Sequence, residues 1–147
     1  MGIIDNIKGE QIYLDTNIFI YALEAFPEYV NTLTSLFTAL DEGNLKAVTS
    51  ELTLAELLIK PLITKNDHLQ HVYQETIQSS DNLEVIPISR QIFIDAAKIR
   101  AQSTTIHLPD AIHLASAKAC YCSSFVTNDK RLKGISDINM LILSDIH

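Results

Sequence analysis

The chain has 147 residues, of which 47% are hydrophobic and 20% are charged, and this composition excludes a disordered protein. The length predicts one domain, residues 1–147, with a core large enough to fold unaided. A formal net charge of −7 argues against broad, salt-driven binding to nucleic acid, although a local basic patch stays compatible with a nucleic-acid substrate.

Two further features concern the surroundings in which the chain works. No apolar run reaches the roughly 18 residues that a membrane span needs. The first ten residues lack the basic and then apolar order of a signal peptide. The only cysteines, Cys120 and Cys122, are too few for a four-thiolate zinc site. We therefore expect a cytoplasmic protein with reduced thiols.

Strands and helices alternate along the predicted chain. The β-prone run 11–14 predicts a buried strand, and Asp15, Thr16 and Asn17 are typical of a strand end and a helix start. The elements predicted next are a helix from Pro27 to Gly43, a strand over 45–49, a helix over 50–59 stopped by Pro61, a helix over 68–78, a strand over 83–88, a helix capped by Ser89, a helix from Pro109 to about Ala119, a strand over 124–127, a short helical segment after Asp129 and a strand over 140–143. This alternation predicts an α/β fold whose parallel sheet is covered on both faces.

Four acids lie where predicted strands end or in the helices that follow. Asp15 and Asp129 follow the first and fourth strands, Glu56 lies in the helix after the second strand, and Asp110 opens an alanine-rich helix. Each has apolar neighbours, among which an ionised carboxylate is costly unless it is paired or binds a metal. If the first and fourth strands are neighbours, Asp15 and Asp129 emerge at one edge of the sheet, where ligands of parallel α/β sheets bind. Such a cluster suits Mg²⁺ or Mn²⁺.

Each acid also has a purely structural interpretation. Asp15 is suited to cap a helix. Glu56 closes a capping box that Thr53 opens. Asp110 lies in a first helical turn, where it complements the helix dipole, and Asp129 lies in a turn. One shared site nevertheless explains four acids on one side of a sheet more simply than four independent caps.

The segments around these acids resemble the four motifs of the PIN-domain family. They read LDTN at 14–17, LAEL at 54–57, LPDAIHLASA at 108–117 and VTND at 126–129, in the family's order and across most of the chain. The resemblance implies a three-layer, Rossmann-like fold with a central parallel sheet. It also implies a metal-dependent ribonuclease in which Asp15, Glu56, Asp110 and Asp129 surround one or two Mg²⁺ or Mn²⁺ ions. Chains of this size are similar to VapC-type toxins, which implies an RNA substrate, a protein antitoxin and a homodimer.

The resemblance also suggests a role for each residue. Asp15 and Asp129 are expected to bind the metal directly, whereas Glu56 and Asp110 complete its shell or orient a water whose pKa the cation lowers. Six neighbours are candidates for hydrogen bonds to the acids or contacts with the substrate: Thr16, Asn17, Thr127, Asn128, Lys130 and Arg131. The alternative for the two basic residues is a solvated helix start.

Two histidines border the third motif. His113 lies three residues after Asp110 and so shares its helix face. We favour a structural role for His113 over a role in the site. His107 precedes the helix and either touches substrate or belongs to a solvated loop.

Two other functions compete with the nuclease. A haloacid-dehalogenase-like phosphatase begins with an apolar strand and an Asp-x-Asp pair and uses the first aspartate as its nucleophile. Asn17 stands where that pair needs its second aspartate, which argues against this function. A non-catalytic RNA- or protein-binding module of the same fold ranks below the enzyme because all four acids are present.

Overall fold

The computed structural model of the protein describes residues 2–146. Within that range the strands are β1 (Gln11–Leu14), β2 (Lys46–Ser50), β3 (Leu83–Ile86), β4 (Ser124–Thr127) and β5 (Asn139–Ile142). The helices are α1 (Ile3–Asn6), α2 (Thr16–Leu23), α3 (Val30–Asp41), α4 (Glu51–Ile63), α5 (Asp67–Thr76), α6 (Arg90–Gln102) and α7 (Leu108–Ala119). Short 3-10 turns follow β4 and β5 at Lys130–Leu132 and Leu143–Asp145.

All five strands run parallel, as the sequence predicted, and the structure gives their order as β3-β2-β1-β4-β5. β1 is the central strand, and Tyr13 pairs with Val48 on one side and with Phe125 on the other. The chain winds outward from β1 through β2 and β3, then returns to the other side of β1 with β4. This reversal places a crevice at the carboxyl ends of β1 and β4, which is where open parallel sheets bind ligands.

Side chains that alternate along the strands form two apolar layers. Ile12 and Leu14 point toward helices α2 to α5 and join a buried cluster that includes Leu36. Tyr13 and Phe125 point to the opposite face, where α6 and α7 cover them. The sheet therefore lies between two helical layers, which confirms the predicted three-layer architecture. No helix within residues 2–146 is long and apolar enough to span a membrane.

Two predicted helix boundaries were wrong. Pro61 does not stop α4, which continues to Ile63 and contains the proline. Proline removes one backbone donor, but only two residues of α4 follow Pro61, which is buried. The helix expected to begin at Pro27 begins at Val30, because residues 27–29 form a turn. Helix α1 was not predicted at all.

Candidate active site

Asp15 lies at the C-terminal end of β1 with its carboxylate held on both sides. Its side chain is buried, with 7% of the residue exposed. Oδ1 accepts a hydrogen bond from the backbone N–H of Thr16 at 2.8 Å, and Oδ2 accepts one from Oγ1 of Thr127 at 2.7 Å. Burial raises the pKa of Asp15. The charge of nearby His113 and the hydrogen bonds from these donors lower it, but by less. A carboxylate that is desolvated in this way favours a positive partner.

The first positive partner is His113 on α7, which joins Asp15 to Glu56. Its Nε2 lies 2.6 Å from Oε1 of Glu56 and 3.6 Å from Oδ1 of Asp15. Oγ1 of Thr16 donates a second hydrogen bond to the same Glu56 oxygen at 2.7 Å. Burial alone would raise the pKa of Glu56, but the hydrogen bond and charge of His113 lower it. Helix α7 therefore fixes a carboxylate that α4 supplies.

Both ring nitrogens of His113 face acceptors, so the structure favours the protonated imidazolium. Nδ1 lies 2.7 Å from the hydroxyl of Tyr13, which itself donates to Oγ of Ser50 at 2.9 Å and so offers a lone pair to the ring. Burial lowers the pKa of His113, yet the bond to Glu56 and the charge of Asp15 outweigh it and raise the pKa. The ring is 2% exposed and cannot leave without repacking the core.

The second positive partner is Arg131, which joins the other two acids. Its Nε donates to both carboxylate oxygens of Asp129, at 2.9 and 3.1 Å, and its Nη2 bonds Oδ2 of Asp129 as well. The same Nη2 lies 3.3 Å from Oδ2 of Asp110. The hydrogen bonds from Arg131 lower the pKa of Asp129. Asp110 also accepts from the backbone N–H of His107 at 2.9 Å, so it caps α7 as well.

The structure thus gathers the four acids as two pairs, each around one cation of the chain. His113 lies between Asp15 and Glu56, and Arg131 forms ion pairs with Asp110 and Asp129. Among residues 2–146, no three acid, histidine or cysteine side chains stand in the arrangement of a ready metal site. The donors that the acids offer are nevertheless all oxygens and carry excess negative charge, so their chemistry fits a hard divalent cation.

The remaining predicted residues lie around these pairs in different ways. Asn17 spans the two strand ends, since its Nδ2 donates to Thr127 at 3.4 Å and its Oδ1 accepts from the backbone N–H of Asn128 at 3.3 Å. The Asn128 side chain turns away from the acids and donates to the hydroxyls of Tyr21 and Tyr29. Lys130 lies outside the cluster, 3.6 Å from a carboxylate oxygen of Asp145.

Sequence reasoning assigned His113 to the fold and missed Tyr13 and Ser50 entirely. The buried, hydrogen-bonded ring fits the structural role that we favoured, and in addition it contacts Glu56 directly. Its three-residue spacing from Asp110 was the available signal. Tyr13 gave none, because it stands in an apolar strand where an aromatic residue needs no special explanation. Arg131, a candidate for hydrogen bonds to the acids or for contact with the substrate, hydrogen-bonds the acids.

Residues 12–138 match the family model of the PIN domain. Solved structures of similar fold include a toxin–antitoxin complex from Klebsiella pneumoniae, with 22% identity over 90% of this chain and 97% of that chain and a TM-score of 0.66. FitAcB from Neisseria gonorrhoeae has 21% identity over 92% and 99% of the two chains, with a TM-score of 0.68. VapC20 from Mycobacterium tuberculosis, described as a sarcin–ricin loop cleaving toxin, has 14% identity over 78% and 86%, with a TM-score of 0.64. The chain matches no curated protein. At these identities the solved structures establish a shared fold.

Proposed function

The chain belongs to the PIN-domain family, and from this premise we propose that it is a metal-dependent endoribonuclease and the toxin of a type II toxin–antitoxin pair. One observation carries the proposal: four acids converge at the carboxyl ends of β1 and β4. Asp15 directly follows β1 and Asp129 comes two residues after β4, while α4 and α7 bring Glu56 and Asp110 beside them. Capping alone does not account for this convergence, because Glu56 caps no helix in the structure.

Asp15, Glu56, Asp110 and Asp129 are the residues that would hold Mg²⁺ or Mn²⁺. When bound, such an ion supplies an activated water and neutralises charge on the phosphodiester. The chain's own contribution is to fix the acids before they act. Thr127 and the Thr16 backbone hold both oxygens of Asp15, and the Thr16 hydroxyl aims Glu56. Carboxylates fixed in this way need little reorganisation when a charged phosphate arrives.

The proposed partners are inferred from the solved structures that share this fold. The similar solved structures include toxin–antitoxin complexes from several bacteria. We infer a protein antitoxin, an RNA substrate, a homodimer and a cytoplasmic location. The net charge of −7 favours a substrate bound at a few defined contacts over one attracted by a broad basic surface. Of the two basic residues that follow Asp129, Lys130 has the more exposed side chain, at 66% against 44% for Arg131, and we propose that it contacts phosphate.

The test is controlled expression in bacteria, followed by sequencing of newly formed RNA 5′ ends. The wild type is expected to produce recurrent new ends, and Asp15→Asn is expected to produce none while its circular dichroism stays native. Asp81→Asn is the matched control, because Asp81 is exposed and precedes β3 at the opposite edge of the sheet. The same ends with Asp15→Asn would refute the nuclease. An absence of new ends with the wild type, together with metal binding, would favour the non-catalytic module.

A further inference from the structure

The two cations that neutralise the acids are held very differently. His113 is 2% exposed and is bonded from both ring nitrogens, so its position is fixed by the core. The side chain of Arg131 is 44% exposed, and the residue lies within the short 3-10 turn Lys130–Leu132. Among residues 2–146, its guanidinium donates only to Asp129 and Asp110. Arg131 can therefore leave the acids by side-chain rotation, at the cost of those bonds and little packing.

Arg131 also occupies the oxygens that a divalent cation needs. Its guanidinium reaches both oxygens of Asp129 and one oxygen of Asp110. The backbone N–H of Arg131 donates to Oδ1 of Asp129 at 3.0 Å as well, which orients that carboxylate toward the side chain. A planar guanidinium that grips a carboxylate in this way is one of the stronger charge-assisted contacts in proteins.

We propose that Arg131 is an exchangeable internal counter-ion, which holds Asp110 and Asp129 together before the metal binds and competes with the metal for their oxygens. The proposal rests on the proposed function, since it presumes that these acids bind a divalent cation. Without a cation, two neighbouring carboxylates repel each other and move apart. Arg131 keeps them in place, so the ion enters a site that is already assembled. The same contact weakens metal binding, because the ion must first displace the guanidinium.

The displaced guanidinium has an evident next partner. When the guanidinium leaves Asp129, it stays close to the acid cluster, because Arg131 is only two residues from Asp129 in the chain. A phosphodiester bound to the metal presents oxygens there, and guanidinium binds phosphate as well as it binds carboxylate. Arg131 would thus exchange a carboxylate partner for a substrate phosphate, which reconciles its observed contact with the substrate role that its sequence position suggested.

Calorimetric titration with MnCl₂ at low salt tests the competition. Arg131→Met keeps the aliphatic stem and removes the donors, and we expect it to tighten the Kd about tenfold, the effect of losing one charge-assisted competitor. Lys133→Met is the matched control, since it removes a nearby positive charge that pairs with Asp145 and not with the acids. Because general electrostatics also favours the metal in that control, we expect its Kd to tighten by at most about twofold.

A second readout follows Arg131 itself. The chain has three arginines, Arg90, Arg100 and Arg131, so their Nε–H signals in ¹⁵N NMR spectra are readily assigned with the variant. Addition of Mg²⁺ should move the Arg131 signal along a saturable curve and leave the other two unchanged.

The outcomes separate this proposal from the proposed function. Equal affinity of the wild type and Arg131→Met, or an Arg131 signal that stays fixed at saturating Mg²⁺, would overturn the counter-ion and leave the metal site standing. An absence of Mn²⁺ binding in every protein tested would overturn both.

Discussion

Replacing His113 by glutamine tests whether a buried cation organises the half of the site that contains Asp15 and Glu56. Glutamine keeps similar size and can place an amide donor near the position of Nε2, but it has no charge and loses the contact with Tyr13. The variant thus removes the charge without opening a large cavity. We expect it to be folded and less stable than the wild type.

The size of the effect follows from the contacts of the ring. A hydrogen bond that involves a charged group contributes about 1.5–3 kcal/mol, and this range covers the bond to Glu56. The bond from the imidazolium to the uncharged Tyr13 hydroxyl lies at its lower end, at about 1.5 kcal/mol. The Glu56 side chain is 32% exposed, so solvent screens part of the first contribution. We expect the free energy of unfolding to fall by about 2–3 kcal/mol. In a chain of this length the melting temperature then falls by about 5–10 °C.

The effect has a defined pH dependence. The folded pKa of His113 is raised, so the stabilisation by its charge is complete below the unfolded value of about 6.5 and is lost as the pH rises through the folded pKa. The folded pKa of Glu56 is lowered, so its share is present above about pH 4.3 and is lost as the pH falls through the folded pKa. The difference between variant and wild type should therefore be largest at about pH 5–6.5 and should shrink in alkaline solution.

Urea unfolding in EDTA, followed by circular dichroism between pH 5 and pH 10, measures this difference. His71→Gln is the control, because the His71 side chain is 73% exposed and, among residues 2–146, its one polar partner is Glu75, 3.6 Å away on the same helix. That surface change is expected to stay within about 0.5 kcal/mol. A His113→Gln variant as stable as the wild type, or a stability difference that does not change with pH, would refute the reasoning.

Two further predictions concern the fold away from the site. Gly9→Ala should destabilise the protein by about 2 kcal/mol or more, because Gly9 has φ +74° and an added Cβ would lie 2.1 Å from Oγ of Ser123. Gly43→Ala, with φ +78° and open space around it, should cost only about 1 kcal/mol in the same urea titration, and equal costs would contradict the steric argument. Burial raises the pKa of Cys122 to about 12, so iodoacetamide at pH 8 should label this thiol only after unfolding. Rapid labelling of Cys122 in the native protein, detected by mass spectrometry, would show that it is not buried.

The architecture could be predicted from the sequence because it depends on hydrophobic patterns and on the residues that begin and end strands and helices. Alternating strands and helices implied a parallel sheet. Asp15 and Asp129 follow strands, so they were expected to lie together at one edge of the sheet if those two strands were neighbours. The pairing of Leu14 with Val126 supplies that adjacency. The stop expected at Pro61 was wrong, because tertiary context can override helix propensity and Pro61 is buried within the last turn of α4.

The partners of the acids were beyond sequence reasoning for a physical reason. His113 and Glu56 are 57 residues apart, on helices that cover opposite faces of the sheet. They meet only because both helices reach the carboxyl ends of the central strands. Spacing within one helix gives the face of His113 but not what stands opposite it. Arg131 had two suitable anionic partners, substrate phosphate and the acids themselves. The choice between them depends on side-chain geometry that no local pattern encodes.

Thermal unfolding of the wild type and of Asp129→Asn, each in EDTA and in millimolar Mn²⁺, tests the central claim that the four acids form a divalent-cation site. At a hundredfold excess over Kd, binding to the native state adds about 2.7 kcal/mol, which raises the melting temperature by about 5–10 °C. We expect this rise in the wild type and a rise of less than about 2 °C in Asp129→Asn. Equal rises in both proteins, or no rise in the wild type at any Mn²⁺ concentration up to ten millimolar, would contradict the account.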